Sequence, residues 1–102
     1  MRNLRENLLE NLLEQGVWEH EADEILTMFN ETATKEDMQI ETIFDSAYEL
    51  GKYYVDAILF GTLDYNIEAV LDYEKLGKHL SETQEKYEML HSGRIVEFKL
   101  QR

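Results

Sequence analysis

Residues 86–100 read KYEMLHSGRIVEFKL, and this stretch decides between a mixed fold and an all-helical one. Ile95, Val96 and Phe98 belong to the residue types that β-strands favour. The intervening HSG at residues 91–93 is typical of a turn between two short strands. The segment therefore predicts a β-hairpin. Because an isolated hairpin is only marginally stable in water, we expect its apolar face to pack against helices.

The residues before this hairpin show helical spacing of apolar side chains. A first helix is predicted from Asn3 to Gln15, and Gly16 follows it as a typical C-terminal stop. Burial of a leucine stabilises a fold by about 1.5 to 3 kcal/mol, so this helix needs a partner surface in the core or on another subunit. The leucines at helical spacing are Leu4, Leu8, Leu9, Leu12 and Leu13.

A second helix and a long third helix are predicted next. The second covers about residues 18–30, with an acidic first turn that suits the helix dipole. Thr34, followed three residues later by Asp37, is a weak N-cap signature. From there a helix is predicted to continue to residue 61, with a break allowed at Gly51. Its broad apolar band indicates a central element.

Two shorter segments complete the helical part. A short helical or irregular stretch is predicted at residues 67–71, and Asp72 can cap a helix at residues 73–80. We therefore expect a mainly α-helical fold with a small C-terminal β-hairpin, a compact helical bundle of the α+β class. Proline is absent and the five glycines are dispersed, so residues 1–102 are expected to form a single domain.

Composition limits the cellular setting. The chain has 102 residues, no cysteine and no apolar run near the roughly 20 residues that span a bilayer. At this length folding buries well over half of the surface that the unfolded chain exposes, which is enough for one modest core. Without thiols neither disulfides nor thiolate metal sites form, and the amino-terminal residues do not resemble a signal peptide. The sequence therefore favours a cytoplasmic protein.

Charge is distributed unevenly along the chain. Residues 1–50 hold 13 acidic and three basic residues, a net charge of −10 out of −12 for the whole chain. Residues 51–102 hold nine acids and seven bases. Such a field repels nucleic acid and membrane phosphates, and it attracts proteins that have a basic groove. We therefore expect no direct binding of nucleic acid or of a membrane.

Three glutamates form a column on the first predicted helix. Glu6, Glu10 and Glu14 recur every four residues, so a carboxylate returns about every 6 Å along the helix axis. This column can imitate a row of phosphates, and it can equally be a solvated helix face. The partner-binding acidic face that we predict comprises Glu6, Glu10, Glu14, Glu19, Asp23, Glu36, Asp37, Glu41 and Asp45, with Trp18, Phe44, Tyr54 and Leu59 as its scaffold.

Signals of catalysis or metal binding are weak. His20 and Glu24 lie four residues apart, a spacing that can hold a metal, but the second histidine of the zinc-protease motif is missing. An exposed polar helix face is the simpler interpretation. His79 and His91 have no acid or nucleophile at a recognisable spacing, and the sequence contains no nucleophile elbow, P-loop or dinucleotide-binding glycine motif. We therefore expect neither an enzyme nor a bound cofactor.

The segment that starts at Glu49, ELGKYYVDAILFGTLDYNIEAVLDYEKLGKHL, resembles the C-terminal part of the ArdA-type antirestriction proteins. That family carries a similar LG-x-YY-V run, a glycine turn and a DYE-x-LG-x-x-L run, and the tail GRIVEF is similar to its short final strand. The resemblance covers roughly residues 47–98. It implies an elongated acidic DNA mimic, often dimeric, that occupies the DNA groove of a type I restriction-modification enzyme. The matching residues are Leu50, Gly51, Tyr53, Tyr54, Val55, Gly61, Leu71, Asp72, Tyr73, Glu74, Leu76, Gly77 and Leu80.

These observations predict an inhibitor of a bacterial host-defence system, encoded by a phage or mobile element. It would bind a DNA-binding host-defence protein through its acidic face, as a monomer or as a homodimer. Two alternatives stay open. A small helical adaptor or dimerising structural protein would use the leucine-rich first helix, with Leu8 and Leu12 as contacts. An inhibitor of a CRISPR nuclease would use the same mimicry on another target.

Overall fold

The computed structural model describes residues 4–29, 33–58 and 65–99. These residues form four helices, one single helical turn and three strands. In chain order the elements are α1 (Leu4–Glu14), α2 (Glu19–Met28), β1 (Ile40–Phe44), α3 (Ala47–Ile58), the single turn α4 (Tyr65–Glu68), α5 (Tyr73–Thr83), β2 (Tyr87–Met89) and β3 (Ile95–Phe98).

The three strands form one antiparallel sheet in the order β1-β3-β2, with β3 in the centre. Successive residues of a strand face opposite sides of a sheet. Val96 and Phe98 of β3 accordingly join a first apolar cluster, while Ile95 joins a second one. The β2–β3 pair is the predicted hairpin, and its turn contains Gly93 at φ +93°, a conformation that glycine tolerates best. The hairpin prediction is confirmed.

Helices α1 and α2 cover one face of the sheet. Leu8 and Leu12 of α1 pack with Ile25 of α2 and Val96 of β3 in the first cluster. Both predicted helices are confirmed. Leu8 and Leu12 are buried within this chain and Leu9 packs at the edge of the same cluster, whereas Leu4 and Leu13 are exposed. Gly16, after the end of α1, has a φ of +106° and therefore stops the helix as predicted.

Helices α3 and α5 cover the opposite face of the sheet. Leu50 of α3 and Leu80 of α5 pack against Ile95 of β3 in the second cluster. The N-cap predicted at Asp72 is confirmed, since its carboxylate accepts a hydrogen bond from the Lys75 amide at 3.0 Å. The helix that it caps continues three residues past the predicted end at residue 80.

The long third helix predicted from residue 34 is wrong in its first half. Residues 40–44, with the sequence IETIF, form the edge strand β1. β-branched and aromatic side chains fit the pleated surface of a sheet, and Ile43 and Phe44 pack into opposite clusters as strand alternation requires. The helix begins only after Ser46, whose hydroxyl accepts a hydrogen bond from the Glu49 amide at 3.3 Å and so acts as N-cap.

The predicted class, a compact and mainly helical α+β fold with a C-terminal hairpin, is confirmed. The third strand is an addition that the sequence analysis did not predict. The short stretch predicted at residues 67–71 corresponds to α4 and the turn that follows it. The predicted helix boundaries at residues 3, 30 and 61 lie outside the described residues. Within the described ranges, none of the helices has the length and apolar character that crossing a bilayer requires.

Candidate functional site

The outward side of the α1–α2 layer carries five of the nine predicted acids. Because the apolar sides of both helices face the sheet, the side chains opposite them point to solvent. The two helices together contain seven acids and a single lysine or arginine, Arg5. We call this surface the outer acidic face, and its exposed acids are Glu6, Glu10, Glu14, Glu19 and Asp23.

An open groove of about 490 Å³ lies between the two helices on this face. Leu9 of α1 gives it an apolar wall, and Glu19, His20 and Asp23 of α2 line the rest. Arg5 donates a hydrogen bond to the Asp23 carboxylate, and both side chains are more than half exposed. Ion pairs this exposed contribute little to the free energy of folding, so the Arg5–Asp23 contact can break without destabilising the fold. The groove thus offers carboxylates beside an apolar wall.

Trp18 lies beside this groove. Its ring centroid is 5.8 Å from that of His20, which lines the groove. The guanidinium carbon of Arg94 lies 4.3 Å from the Trp18 ring centroid, a distance typical of a cation–π contact. Trp18 is predicted from sequence to belong to the scaffold, whereas 53% of its surface is exposed in the structure. Trp18 is therefore a surface residue held in place by an arginine.

A buried ion pair fixes α2 to the hairpin, and sequence reasoning missed it. Glu21 is 0% exposed, and its carboxylate pairs with the Arg94 guanidinium at 3.0 Å. The same carboxylate accepts hydrogen bonds from the Ser92 hydroxyl at 2.6 Å and from the Trp18 amide at 2.8 Å. One signal in the sequence points to this pair, because Glu21 stands four residues before Ile25, on the apolar side of the helix.

Glu24 contacts the hairpin as well. Both of its carboxylate oxygens accept a hydrogen bond from the His91 amide, each at 3.1 Å. His20, which the spacing pairs with Glu24 as a potential metal ligand, lines the groove instead. Among residues 4–29, 33–58 and 65–99, no three histidine or carboxylate side chains are grouped so that they could hold a metal ion.

Glu36 and Asp37 lie in the turn before β1 and belong to neither helix of the outer acidic face, and Asp37 lines a groove with Met28 at the end of α2. The Asp37 carboxylate accepts a hydrogen bond from the Thr34 amide at 2.7 Å. The Thr34–Asp37 signature therefore closes this turn and does not start a helix.

The remaining two predicted acids lie near lysines. Glu41 of β1 lines a second groove together with Lys86 and Lys99. Asp45, between β1 and α3, lines a third groove together with Lys52. The structure thus brings five of the nine acids to one surface and distributes the other four over different ones. Of the predicted scaffold, Phe44 and Tyr54 pack in the second cluster, and Leu59 lies outside the described residues.

Glu88 on β2 is a half-buried acid that the sequence analysis did not single out. It lines a fourth groove that also contains Phe29 and Phe98. Burial in this groove raises the pKa of the Glu88 carboxyl above its ordinary value. The other charged side chains that line the groove are Asp37, Glu85 and Lys86.

Comparison of the chain with protein-family models, with curated proteins and with solved structures finds no match. The resemblance to the ArdA-type proteins therefore stays a prediction from the residues alone. Several residues that carry it are packed together, since Leu50 and Leu80 share the second cluster and Gly51 and Gly77 lie where α3 and α5 meet. Gly61 lies outside the described residues.

Proposed function

We propose that this protein is a stoichiometric inhibitor that binds the basic DNA groove of a bacterial host-defence enzyme. The observation that carries the proposal is the outer acidic face, where five exposed carboxylates occupy one side of two packed helices. The proposed target is a type I restriction-modification enzyme, and the support for that target is the sequence resemblance over residues 47–98. A phage or mobile element is the proposed source.

The density of charge on the outer acidic face supports mimicry of DNA. The 11 residues of α1, which carry Glu6, Glu10 and Glu14, extend over about 16 Å. Glu19 and Asp23 of α2 lie beside this helix, since they line a groove together with Leu9 of α1. One strand of B-DNA presents about five phosphates over that length, at roughly 3.4 Å per phosphate. Five carboxylates in this space approach the charge density of a single DNA strand.

Binding of this kind depends on electrostatic complementarity. Opposite fields raise the association rate and select the partner, and both effects weaken as salt screens the charges. No bond of a substrate has to be made or broken for such inhibition. The acids of the outer face act as fixed charges on rigid helices.

The experiment compares two double variants in a DNA-cleavage assay with a purified type I restriction enzyme. Glu10→Gln with Glu14→Gln removes two charges from the outer acidic face. Glu82→Gln with Glu85→Gln removes two exposed charges outside that face and is the matched control. We expect the first variant to inhibit at least tenfold less and the control to inhibit like the wild type. Equal inhibition by both variants, or affinity that does not fall between low and high salt, would contradict the proposal.

The structure buries the two leucines that the adaptor alternative would use as partner contacts. Leu8 and Leu12 are 7% and 0% exposed and belong to the first apolar cluster, so they are not available to a partner. A CRISPR nuclease as target would leave the mimicry unchanged. Running the same two variants against such a nuclease distinguishes the two targets.

A further inference from the structure

We propose that the groove between α1 and α2, together with Trp18, binds an arginine side chain of a basic partner protein. This inference rests on the proposed function in that it names the contact through which the outer acidic face selects its partner. It adds a requirement on the partner that charge alone does not impose: the side chain that binds must carry a planar cation with an apolar face.

The lining of the groove matches that requirement. Glu19 and Asp23 provide carboxylates, and Leu9 provides the apolar wall against which an aliphatic stem can pack. A guanidinium can bind a carboxylate through two parallel hydrogen bonds. The groove is open to solvent, so a side chain that projects from a partner surface can enter it.

The chain itself shows that one carboxylate of the groove accepts a guanidinium. Arg5 reaches across from α1 and donates a hydrogen bond to the Asp23 carboxylate. The contact is exposed at both side chains, so it is easily replaced. An arriving arginine of the partner would displace Arg5 from Asp23, which makes Arg5 an intramolecular competitor for the site.

Trp18 provides the second element of the site. Its ring already stacks on the guanidinium of Arg94, which Glu21 holds in the interior at 3.0 Å. This contact covers one part of the ring before any partner arrives, while about half of the surface of Trp18 stays exposed. Tryptophan is the best aromatic partner for cations, and it is enriched among residues that dominate binding energy.

Arginine fits this site better than lysine does. The guanidinium is planar, stacks on aromatic rings and is weakly hydrated, whereas the lysine ammonium is a compact and strongly hydrated charge. Carboxylates elsewhere on the surface can also favour arginine through paired hydrogen bonds, but they offer no aromatic ring. An arginine preference that depends on Trp18 therefore separates the proposed site from the general field of the protein.

The test uses two fluorescein-labelled peptides, octa-arginine and octa-lysine, with binding followed by fluorescence anisotropy at low salt. Trp18 is the single tryptophan of the chain, so its intrinsic emission with unlabelled peptides reports directly on the site. We expect octa-arginine to bind about fivefold more tightly than octa-lysine, which corresponds to the usual strength of an exposed cation–π contact. We also expect only octa-arginine to change the Trp18 emission strongly.

Two variants act in opposite directions. Trp18→Leu should abolish the preference for octa-arginine. Arg5→Gln should raise the affinity for octa-arginine about threefold by releasing Asp23, the gain expected from removing a weak exposed competitor. The gain for octa-lysine should be smaller, since loss of the Arg5 charge attracts both peptides but only a guanidinium fits the site. Val70→Ala, at an apolar residue exposed in the turn after α4, is the matched control and should change neither value. Because Arg5 lies on the surface, its variant stays informative even where Trp18→Leu lowers stability.

The outcomes separate this inference from the proposed function. Equal binding of both peptides by the wild type, or an arginine preference that persists in Trp18→Leu, would overturn the arginine site and leave the acidic inhibitor intact. A preserved arginine preference in a protein that fails to inhibit the restriction enzyme would support the site and contradict the proposed function.

Discussion

The backbone of α3 touches the backbone of α5 where Gly51 meets Tyr73. A Cβ atom on Gly51 would lie 2.0 Å from the Tyr73 carbonyl oxygen. Four residues further along α5, a Cβ atom on Gly77 would lie 1.8 Å from the Ala47 carbonyl oxygen. Two glycines thus allow the helices to cross in direct backbone contact, and backbone atoms cannot move aside as a flexible side chain can.

Alanine at either glycine should therefore force the helices apart. We expect Gly51→Ala and Gly77→Ala each to lower the free energy of unfolding by about 3 kcal/mol, the upper end of the usual cost of overpacking, because the neighbouring atoms belong to the backbone. Urea denaturation measures the change. Lys52→Ala, at the exposed residue next to Gly51, is the control and should have little effect. A stable Gly51→Ala protein would show that the two helices do not meet in this way.

The Glu21–Arg94 pair should respond differently to single and double substitution. Arg94→Met leaves the buried Glu21 carboxylate without its cation, so we expect a loss of about 3 to 5 kcal/mol in the free energy of unfolding. Glu21→Met with Arg94→Met removes both charges and should recover most of that loss. A double-mutant cycle by chemical denaturation measures the coupling. Additive effects of the two substitutions would mean that the pair is not coupled.

The raised pKa of Glu88 predicts a pH-dependent effect of its substitution. Because the folded pKa lies above the unfolded one, this group favours folding at acid pH, and the contribution is lost as pH rises through the folded pKa. At pH 7 the buried charge opposes folding, so Glu88→Gln should raise Tm at pH 7 and change it less at pH 4. Thermal melts at both pH values, with Glu82→Gln as the exposed control, measure the difference. An equal shift at both pH values would rule out the burial of Glu88 as its cause.

The N-cap of α5 should contribute a measurable share of stability. Asp72→Ala removes the acceptor of the Lys75 amide, and we expect a loss of about 1 kcal/mol in the free energy of unfolding. Asp72→Asn keeps an acceptor at the same position and should lose much less. If both variants lose the same amount, the charge of Asp72 matters and its capping hydrogen bond does not.

The parts of the fold that follow a single period could be predicted from sequence. Leu8 and Leu12 recur at helical spacing, and Ile95, Val96 and Phe98 form a strand next to a glycine turn, so each pattern indicates its element directly. The IETIF run is five residues long and lies between apolar residues that also fit a helix. Its pairing with β3, a tertiary contact more than 50 residues away, decides its conformation, and no local pattern contains that information.

The exposed charges of the candidate site could be predicted from sequence, but the buried ion pair beside them could not. The column on α1 follows from the spacing of Glu6, Glu10 and Glu14, and helix geometry alone places it on one face. Glu21 belongs to the same acidic run as Glu19 and yet is buried, because Arg94 arrives from the far end of the chain to neutralise it. Composition counts both acids alike, so only the three-dimensional contact separates a surface charge from an internal one.

The central position of β3 affects how the chain folds as it is synthesised. This strand pairs with both β1 and β2 and supplies side chains to both apolar clusters, although it follows every other described element in the chain. A ribosome therefore delivers α1, α2, α3 and α5 before the strand that completes either cluster exists. Neither half of the molecule can reach its final packing until residue 98 has left the exit tunnel. We infer that this protein acquires its native packing in one late step, once β3 is available, and that the acidic layer becomes a rigid binding surface only then.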